Sequence, residues 1–82
     1  MAKLPRLSAI ELSKILKKLG FQFIRQEGSH MFFRHSDGRT TVVPNHPGEK
    51  LDRGLLNKIL KKDVQISRED FEKLAWVFNF QF

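Results

Sequence analysis

The sequence predicts an α+β domain in which helices cover one face of a small antiparallel sheet. Two observations carry this prediction. Apolar residues recur at helical spacing near both ends of the chain, and the middle holds short aromatic and β-branched runs separated by turn signals. The chain has 82 residues with neither an internal repeat nor a long linker, so a single core is expected.

The first helix is predicted over residues 8–19. Ser8 and Glu11 form a capping box at its start, and Gly20 is a natural stop. The apolar stripe between them consists of Leu12, Ile15, Leu16 and Leu19. This spacing gives one helix face that packs on the sheet.

Three strands are predicted over residues 21–26, 30–35 and 40–43. A Gly28-Ser29 turn separates the first two, and Asp37-Gly38 is a strong hairpin signal between the second and third. Pro44 ends the third strand, and residues 45–49 form a loop by composition.

A second helix is predicted over residues 53–62 with Asp52 as its cap, and a short third helix from Ser67 to about Ala75. From Trp76 the aromatic residues alternate with smaller or polar ones, as in a strand. We therefore divide the chain into a domain over residues 1–75 and an aromatic tail over residues 76–82. The tail either packs on its own domain or presents an edge strand or aromatic patch to another chain.

Composition favours a polyanionic partner. The chain carries 15 basic and 9 acidic residues, a net charge of +6, which suits RNA, DNA or an acidic protein. The absence of cysteine excludes disulfides and thiolate metal sites. No apolar segment approaches the roughly 20 residues of a membrane helix. The N-terminus also lacks the apolar core of a signal peptide, so we expect a cytoplasmic protein without a membrane partner.

His30 is the candidate catalytic residue. Side chains alternate across a strand, so His30, Phe32 and Arg34 share one face while Met31 and Phe33 share the other. Burying Arg34 unpaired is costly, so we expect Met31 and Phe33 in the core and the His30 face open to solvent.

An open basic sheet face suits RNA cleavage. An imidazole exchanges its proton near neutral pH, an arginine pairs with phosphate, and an aromatic ring stacks on a base. Attack by the RNA 2′-hydroxyl needs proton transfer and charge stabilisation but no metal or cofactor. His30 and His35 point to opposite faces, and no further ligands complete a metal site. His46 is either a second acid or base or a plain loop residue.

Read together, several short motifs resemble the HicA (YcfA-like) toxin family. They run in order over about residues 8–74 and comprise Leu16-Lys17-Lys18-Leu19-Gly20-Phe21, Gly28-Ser29-His30, Asp37-Gly38-Arg39, Val42-Val43-Pro44, His46-Pro47-Gly48 and Gly54-Leu55-Leu56-Asn57-Lys58-Ile59-Leu60. The resemblance implies a fold like that of double-stranded-RNA-binding domains, with one helix, three strands and a further helix. It also implies a metal-independent mRNA endoribonuclease that arrests translation and a HicB-type antitoxin that covers the active site.

The resemblance places the family's catalytic histidine on His30 and its preceding glycine on Gly28. The candidate RNA-binding residues are Gly28, Ser29, Phe32, Arg34, His46, Lys50 and Arg53. The alternative is an RNA-binding module of the same fold without catalysis, which grips duplexes by shape. Such a module typically concentrates its cations at the start of the last helix, whereas here Arg53, Lys58, Lys61 and Lys62 are spread along the second helix.

Overall fold

A computed structural model describes residues 6–78 of the chain. Its elements are the helix α1 (Ala9–Lys18), the strands β1 (Phe21–Glu27), β2 (His30–His35) and β3 (Thr40–Pro44), and the helices α2 (Arg53–Lys58) and α3 (Arg68–Val77). The strands form one antiparallel sheet in the order β1-β2-β3. The predicted α+β class and the order helix, three strands, helix are therefore confirmed.

α1 begins with the predicted capping box. The Ser8 hydroxyl accepts a hydrogen bond from the Glu11 backbone N–H at 3.1 Å, and the Glu11 carboxylate accepts one from the Ser8 backbone N–H at 2.9 Å. Both bonds satisfy donors that the first helical turn leaves unpaired. The helix then buries Leu12, Ile15 and Leu16 completely against the sheet.

The hydrophobic core lies on one face of the sheet. β2 contributes Met31 and Phe33, β3 contributes Val43, and β1 contributes Phe21, all of which are buried. These positions alternate with residues that face the other way, such as Arg34 and Val42, which are exposed to solvent within the described residues 6–78. The sheet therefore has one packed face and one open face.

The hairpin between β2 and β3 is fixed by polar contacts of Asp37 and Arg39. The Arg39 backbone N–H and its guanidinium both donate to the Asp37 carboxylate and hold the pKa of Asp37 below its ordinary value. The Arg39 guanidinium also donates to the Val64 carbonyl and lies 5.2 Å from the centroid of the Phe21 ring. These contacts tie the hairpin to the chain that follows α2.

The second helix differs from the single α-helix predicted over residues 53–62. The α-helical hydrogen-bond pattern of α2 ends at Lys58 and continues as a π-helical segment, Ile59–Val64. Gln65 then takes a left-handed conformation with φ of 58° and ends the segment. Asp63, in the π-helical segment, accepts a hydrogen bond from the Thr41 hydroxyl at 2.9 Å. This long-range tie to β3 is not apparent from the local sequence.

α3 begins at its predicted cap, where the Ser67 hydroxyl accepts from the Asp70 backbone N–H at 3.1 Å. It continues through Val77, two residues past the predicted end at Ala75. The strand-like interpretation is therefore wrong for Trp76 and Val77, which are helical and strongly exposed. Phe80 and Phe82 lie outside the described residues, and the division of the chain at residue 76 stays a prediction.

Candidate nucleic-acid interface

His30 is the first residue of the central strand β2 and lies on the open face of the sheet. Its side chain is exposed, and it makes no hydrogen bond or ion pair with residues 6–78. In the strand register it stands opposite Glu27 of β1 on one side and Pro44 of β3 on the other. An imidazole placed in this way is accessible to a large ligand that approaches the sheet.

The expected division of β2 between the two faces is confirmed. Met31 and Phe33 are buried in the core, whereas His30 and Arg34 are exposed and Phe32 is half-buried. The structure thus brings the three side chains that sequence reasoning grouped together onto one strand and one face. Neighbours on this face are two residues apart, or about 6.6 Å along the strand.

A tight turn positions His30. Gly28 has φ of 58°, a conformation that glycine adopts without a steric penalty, and Ser29 completes a two-residue hairpin connection. The Asn45 backbone N–H donates to the Ser29 carbonyl at 2.6 Å. This bond places the start of the loop after β3 beside the turn that precedes His30.

The remaining predicted contacts lie in and after that loop. His46 and Lys50 line a cavity of about 220 Å³ together with Pro44, the residue opposite His30. Lys50 approaches the Glu11 carboxylate at 3.9 Å, and both partners of this ion pair are at least partly exposed. Arg53 is exposed in the first turn of α2. His46 and Lys50 therefore lie beside Pro44, at the His30 end of the sheet.

Sequence reasoning missed two residues of the open face, Arg25 and Glu27. A register shift between Phe23 and Arg25 forms a β-bulge, after which Arg25 stands opposite Phe32 and Glu27 opposite His30. The bulge inserts one residue, so the later part of β1 turns its other side to the open face. The signal was the break in alternation at Ile24-Arg25, where an apolar residue follows Phe23 directly.

Arg25 contacts both Phe32 and Glu27. Its guanidinium carbon lies 4.4 Å from the centroid of the Phe32 ring, within the range of a cation–π contact. The same guanidinium forms an ion pair with the Glu27 carboxylate. Phe32 is therefore partly covered by a planar cation, and a base stacking at this point meets the Arg25–Phe32 pair.

His35 lies on the core face of the sheet, where its ring contacts Leu19, Phe21 and Asp37. The Asp37 backbone N–H donates to its Nδ1 at 3.1 Å, and its Nε2 lies 3.1 Å from the Leu19 carbonyl, to which a neutral ring with a protonated Nε2 donates. Its ring also makes an edge contact with Phe21, with the centroids 5.1 Å apart. Among residues 6–78, no three His, Cys, Asp or Glu side chains form a group that could bind a metal ion.

A larger cavity of about 440 Å³ lies away from His30. It is lined by residues of α3, of the segment before it, of the β2–β3 hairpin and of the end of α1, including Leu19, Arg39, Ile66 and Leu74. It contains neither a histidine nor the paired groups of the open face. The residues suited to RNA chemistry lie around His30 and not in this larger cavity, so we place the candidate site on the sheet.

Comparison with known proteins identifies the family of the chain. The family model described as the HicA toxin of bacterial toxin–antitoxin systems matches residues 10–64, which is more than half of the chain. The chain belongs to the HicA toxin family. The HicA match includes α1, the whole sheet and α2, and it ends before α3. No curated protein matches the sequence.

Membership of the HicA family makes this protein a toxin of a toxin–antitoxin system, with an antitoxin as its partner. Both the hairpin that carries His30 and the loop that carries His46 lie within the matched residues. The helices of residues 6–78 are too short or too polar to span a lipid bilayer.

Proposed function

We propose that this toxin is an endoribonuclease that cleaves mRNA on the open face of its sheet, with His30 as a general acid or base. The observation that carries the proposal is the exposed imidazole at the head of the central strand, without a hydrogen-bond partner among residues 6–78. A positioned imidazole can serve as a general acid or base, and such proton transfer contributes about 10²–10⁴-fold in rate.

The reaction uses the RNA's own 2′-hydroxyl as the nucleophile. A base on the protein removes the 2′-hydroxyl proton, and the 2′-oxygen forms a bond to the adjacent phosphorus. The bond from phosphorus to the 5′-oxygen breaks, and an acid on the protein protonates that oxygen. The products are a 2′,3′-cyclic phosphate and a 5′-hydroxyl, so the scheme calls on two proton-transfer groups and no metal.

Glu27 is our candidate for the second proton-transfer group. It stands directly opposite His30 in the β1–β2 register, and its carboxylate is largely exposed. Cβ atoms of opposite residues in an antiparallel pair lie roughly 4.5–5.5 Å apart, so both side chains can reach one phosphodiester. In this arrangement the Glu27 carboxylate takes the 2′-hydroxyl proton and the His30 imidazolium protonates the leaving oxygen.

Cations around the site would bind the phosphates. Arg34 lies four residues along β2 from His30, and Lys50 and Arg53 lie on the loop side. The Gly28-Ser29 turn and His46 border the same end of the sheet, where the chain leaves room for the RNA backbone. Phosphates held on both sides would fix the scissile bond beside His30 and stabilise charge in the transition state.

The antitoxin partner fits the same surface. We infer that the antitoxin is HicB-like and that it covers the open face. The chain has a net charge of +6, and a basic surface attracts an acidic protein as well as RNA. Covering His30 would block access of mRNA and so neutralise the toxin.

A His30→Ala variant tests the proposed function. Purified protein is incubated with labelled single-stranded RNA and a chelator, and the products are separated on a denaturing gel. We expect the parent to cut and His30→Ala to lose at least 100-fold in rate, because proton transfer is removed. Asn57→Ala, an exposed polar change on α2, serves as the control and should cut like the parent. Equal cleavage by His30→Ala, or intact RNA that is only retarded on a native gel, would contradict the proposal.

A further inference from the structure

The open face of the sheet contains a cavity of about 340 Å³, and its lining residue Phe32 lies two residues from His30 on β2. Its apolar lining consists of Ile24, Phe32 and Val42, together with the buried Phe33. Arg25, Arg34 and Thr40 also line it. Its volume lies at the lower end of the roughly 300–1,000 Å³ range of ligand sites, which suits a single flat ring system.

Two apolar side chains of this lining, Ile24 and Val42, are open to solvent. Ile24 is 42% exposed and Val42 is 38% exposed, and they come from the two outer strands. Phe32, between them on β2, stands opposite Val42 and opposite Arg25. Clustered apolar side chains on a surface that is otherwise polar mark a binding site.

Two arginines adjoin this apolar lining. The Arg25 guanidinium is held over the Phe32 ring at 4.4 Å and is ion-paired with Glu27, so it presents a fixed planar cation. Arg34 is exposed and makes no hydrogen bond or ion pair within the described part of the chain. A planar cation and an aromatic ring bind the faces of nucleobases, and a free arginine pairs with phosphate.

We propose that this cavity binds one unpaired nucleobase of the RNA, that of a nucleotide next to the cleaved bond. The inference rests on the proposed function of His30 and adds a substrate class to it. Phe32 lies two residues from His30 on the same face, or about 6.6 Å away along the strand. That distance is comparable to one step along an unstacked RNA strand, so a phosphate at His30 places a neighbouring base at the cavity.

This geometry makes single-stranded RNA the substrate. A base inside a duplex is stacked on both faces and paired at its edge, so it cannot pack against Ile24 and the Arg25–Phe32 pair. Stacking tolerates every base because each has a π-face, so the cavity demands an unpaired base and adds only a modest sequence preference.

The test uses RNA oligonucleotides of one sequence in which a single cut has been mapped. The nucleotide on one side of the cut, or on the other, is replaced by an abasic ribonucleotide that lacks the base but keeps the attacking 2′-hydroxyl. We expect one of the two substitutions to lower kcat/KM by about 5–150-fold, the equivalent of roughly 1–3 kcal/mol for one stacked base. A fully paired duplex of the same sequence should not be cut.

The variant Ile24→Ser links the effect to the cavity. We expect it to cut intact RNA more slowly and to lose most of the penalty for the abasic nucleotide, because both changes remove the same contact. Ile10→Ser is the matched control, since Ile10 is 50% exposed but lies on α1, away from the open face. It should retain both the parental rate and the full abasic penalty.

Failure of this inference is distinguishable from failure of the proposed function. Cleavage that depends on His30 but is indifferent to both abasic substitutions would overturn the base site alone. If the protein did not cleave at all, fluorescence anisotropy with a short uridine oligonucleotide, with and without its central bases, would decide the matter. Equal binding of the two would overturn the base site. An oligomer that Ile24→Ser dissociates, with RNA binding unchanged, would assign the cavity to a second copy of the chain instead.

Discussion

At the scale of single residues, function depends on which side chains meet on the open face. His30 and Arg34 are the exposed polar members of β2, and Glu27 joins them through the register with β1. Glu27 therefore has two possible partners, the Arg25 guanidinium with which it is paired and a proton on the RNA. A pH profile separates these two functions, because only proton transfer changes the shape of the profile.

Glu27→Gln should remove one limb of the pH–rate profile. In general acid–base catalysis, the rate falls in acid as the base is protonated and in alkali as the acid loses its proton. The charged or titratable groups that face Glu27 are Arg25 on its own strand and His30 on β2, while β3 offers Pro44, which does not ionise, and His46 beyond it. The amide variant should lose about 10²–10⁴-fold in rate and the acidic limb.

Single-turnover cleavage between pH 4 and pH 9 measures this effect. Glu69→Gln is the control, because Glu69 is an exposed carboxylate on α3 that is paired with Lys73 at 3.6 Å, far from the sheet face. An unchanged bell-shaped profile for Glu27→Gln would show that the carboxylate only orders Arg25.

At the scale of elements, two junctions set the position of His30 and its strand. The turn at Gly28 connects β1 to β2, and Gly20 connects α1 to β1 with φ of 101°. A Cβ at Gly28 would meet nothing within 4 Å, so a substitution there is opposed by the backbone conformation alone. A Cβ at Gly20 would lie 2.8 Å from Nε2 of His35, and that side chain is held against Leu19 and Phe21.

Gly20→Ala should therefore destabilise the protein more than Gly28→Ala. We expect about 1–2 kcal/mol for the backbone effect at Gly28, and a greater loss at Gly20 because a steric clash is added. Urea unfolding followed by circular dichroism gives the two free energies of unfolding. Equal losses would mean that His35 moves aside without penalty.

At the scale of the whole molecule, charge attracts the ligand and the fold selects where it binds. The net charge of +6 acts over the whole surface, whereas the open face combines exposed cations with His30 and an apolar cavity. Helices occupy the other face, so the sheet offers RNA one side only. α3 lies outside the family match and contributes Lys73 and Trp76 to a different part of the surface.

Salt should weaken RNA binding in proportion to the number of phosphates contacted. In the His30→Ala variant, which the proposed function expects to be inactive, the plot of log binding constant against log salt concentration should fall linearly. Adding Arg34→Ala should make the slope shallower by about 0.7, the value for one phosphate contact with a single strand. Lys73→Ala removes an equal charge on α3 and should leave the slope unchanged. An unaltered slope for Arg34→Ala would exclude that arginine from phosphate binding.

Much of this fold is predictable because its determinants are local. The helix caps, the 3.6-residue apolar stripe of α1 and the glycine turns act over a few residues, so the bounds of α1, β2 and β3 agree with expectation to within a residue. Alternation along β2 also predicted correctly that Phe33 is buried and Arg34 is exposed. The family motifs, such as Gly28-Ser29-His30, are also short runs of adjacent residues, so they can be read from the sequence.

Tertiary structure decided what depends on pairing between distant segments. The bulge in β1 is defined only against β2, so no local rule could place Glu27 beside His30 or Arg25 over Phe32. The π-helical segment after α2 lies where Asp63 bonds to Thr41 and Val64 to Arg39, both across the fold. By itself the sequence determined the class, the open face and the histidine on it. The neighbours of that histidine, and the cavity beside it, follow from a register that only the folded sheet defines.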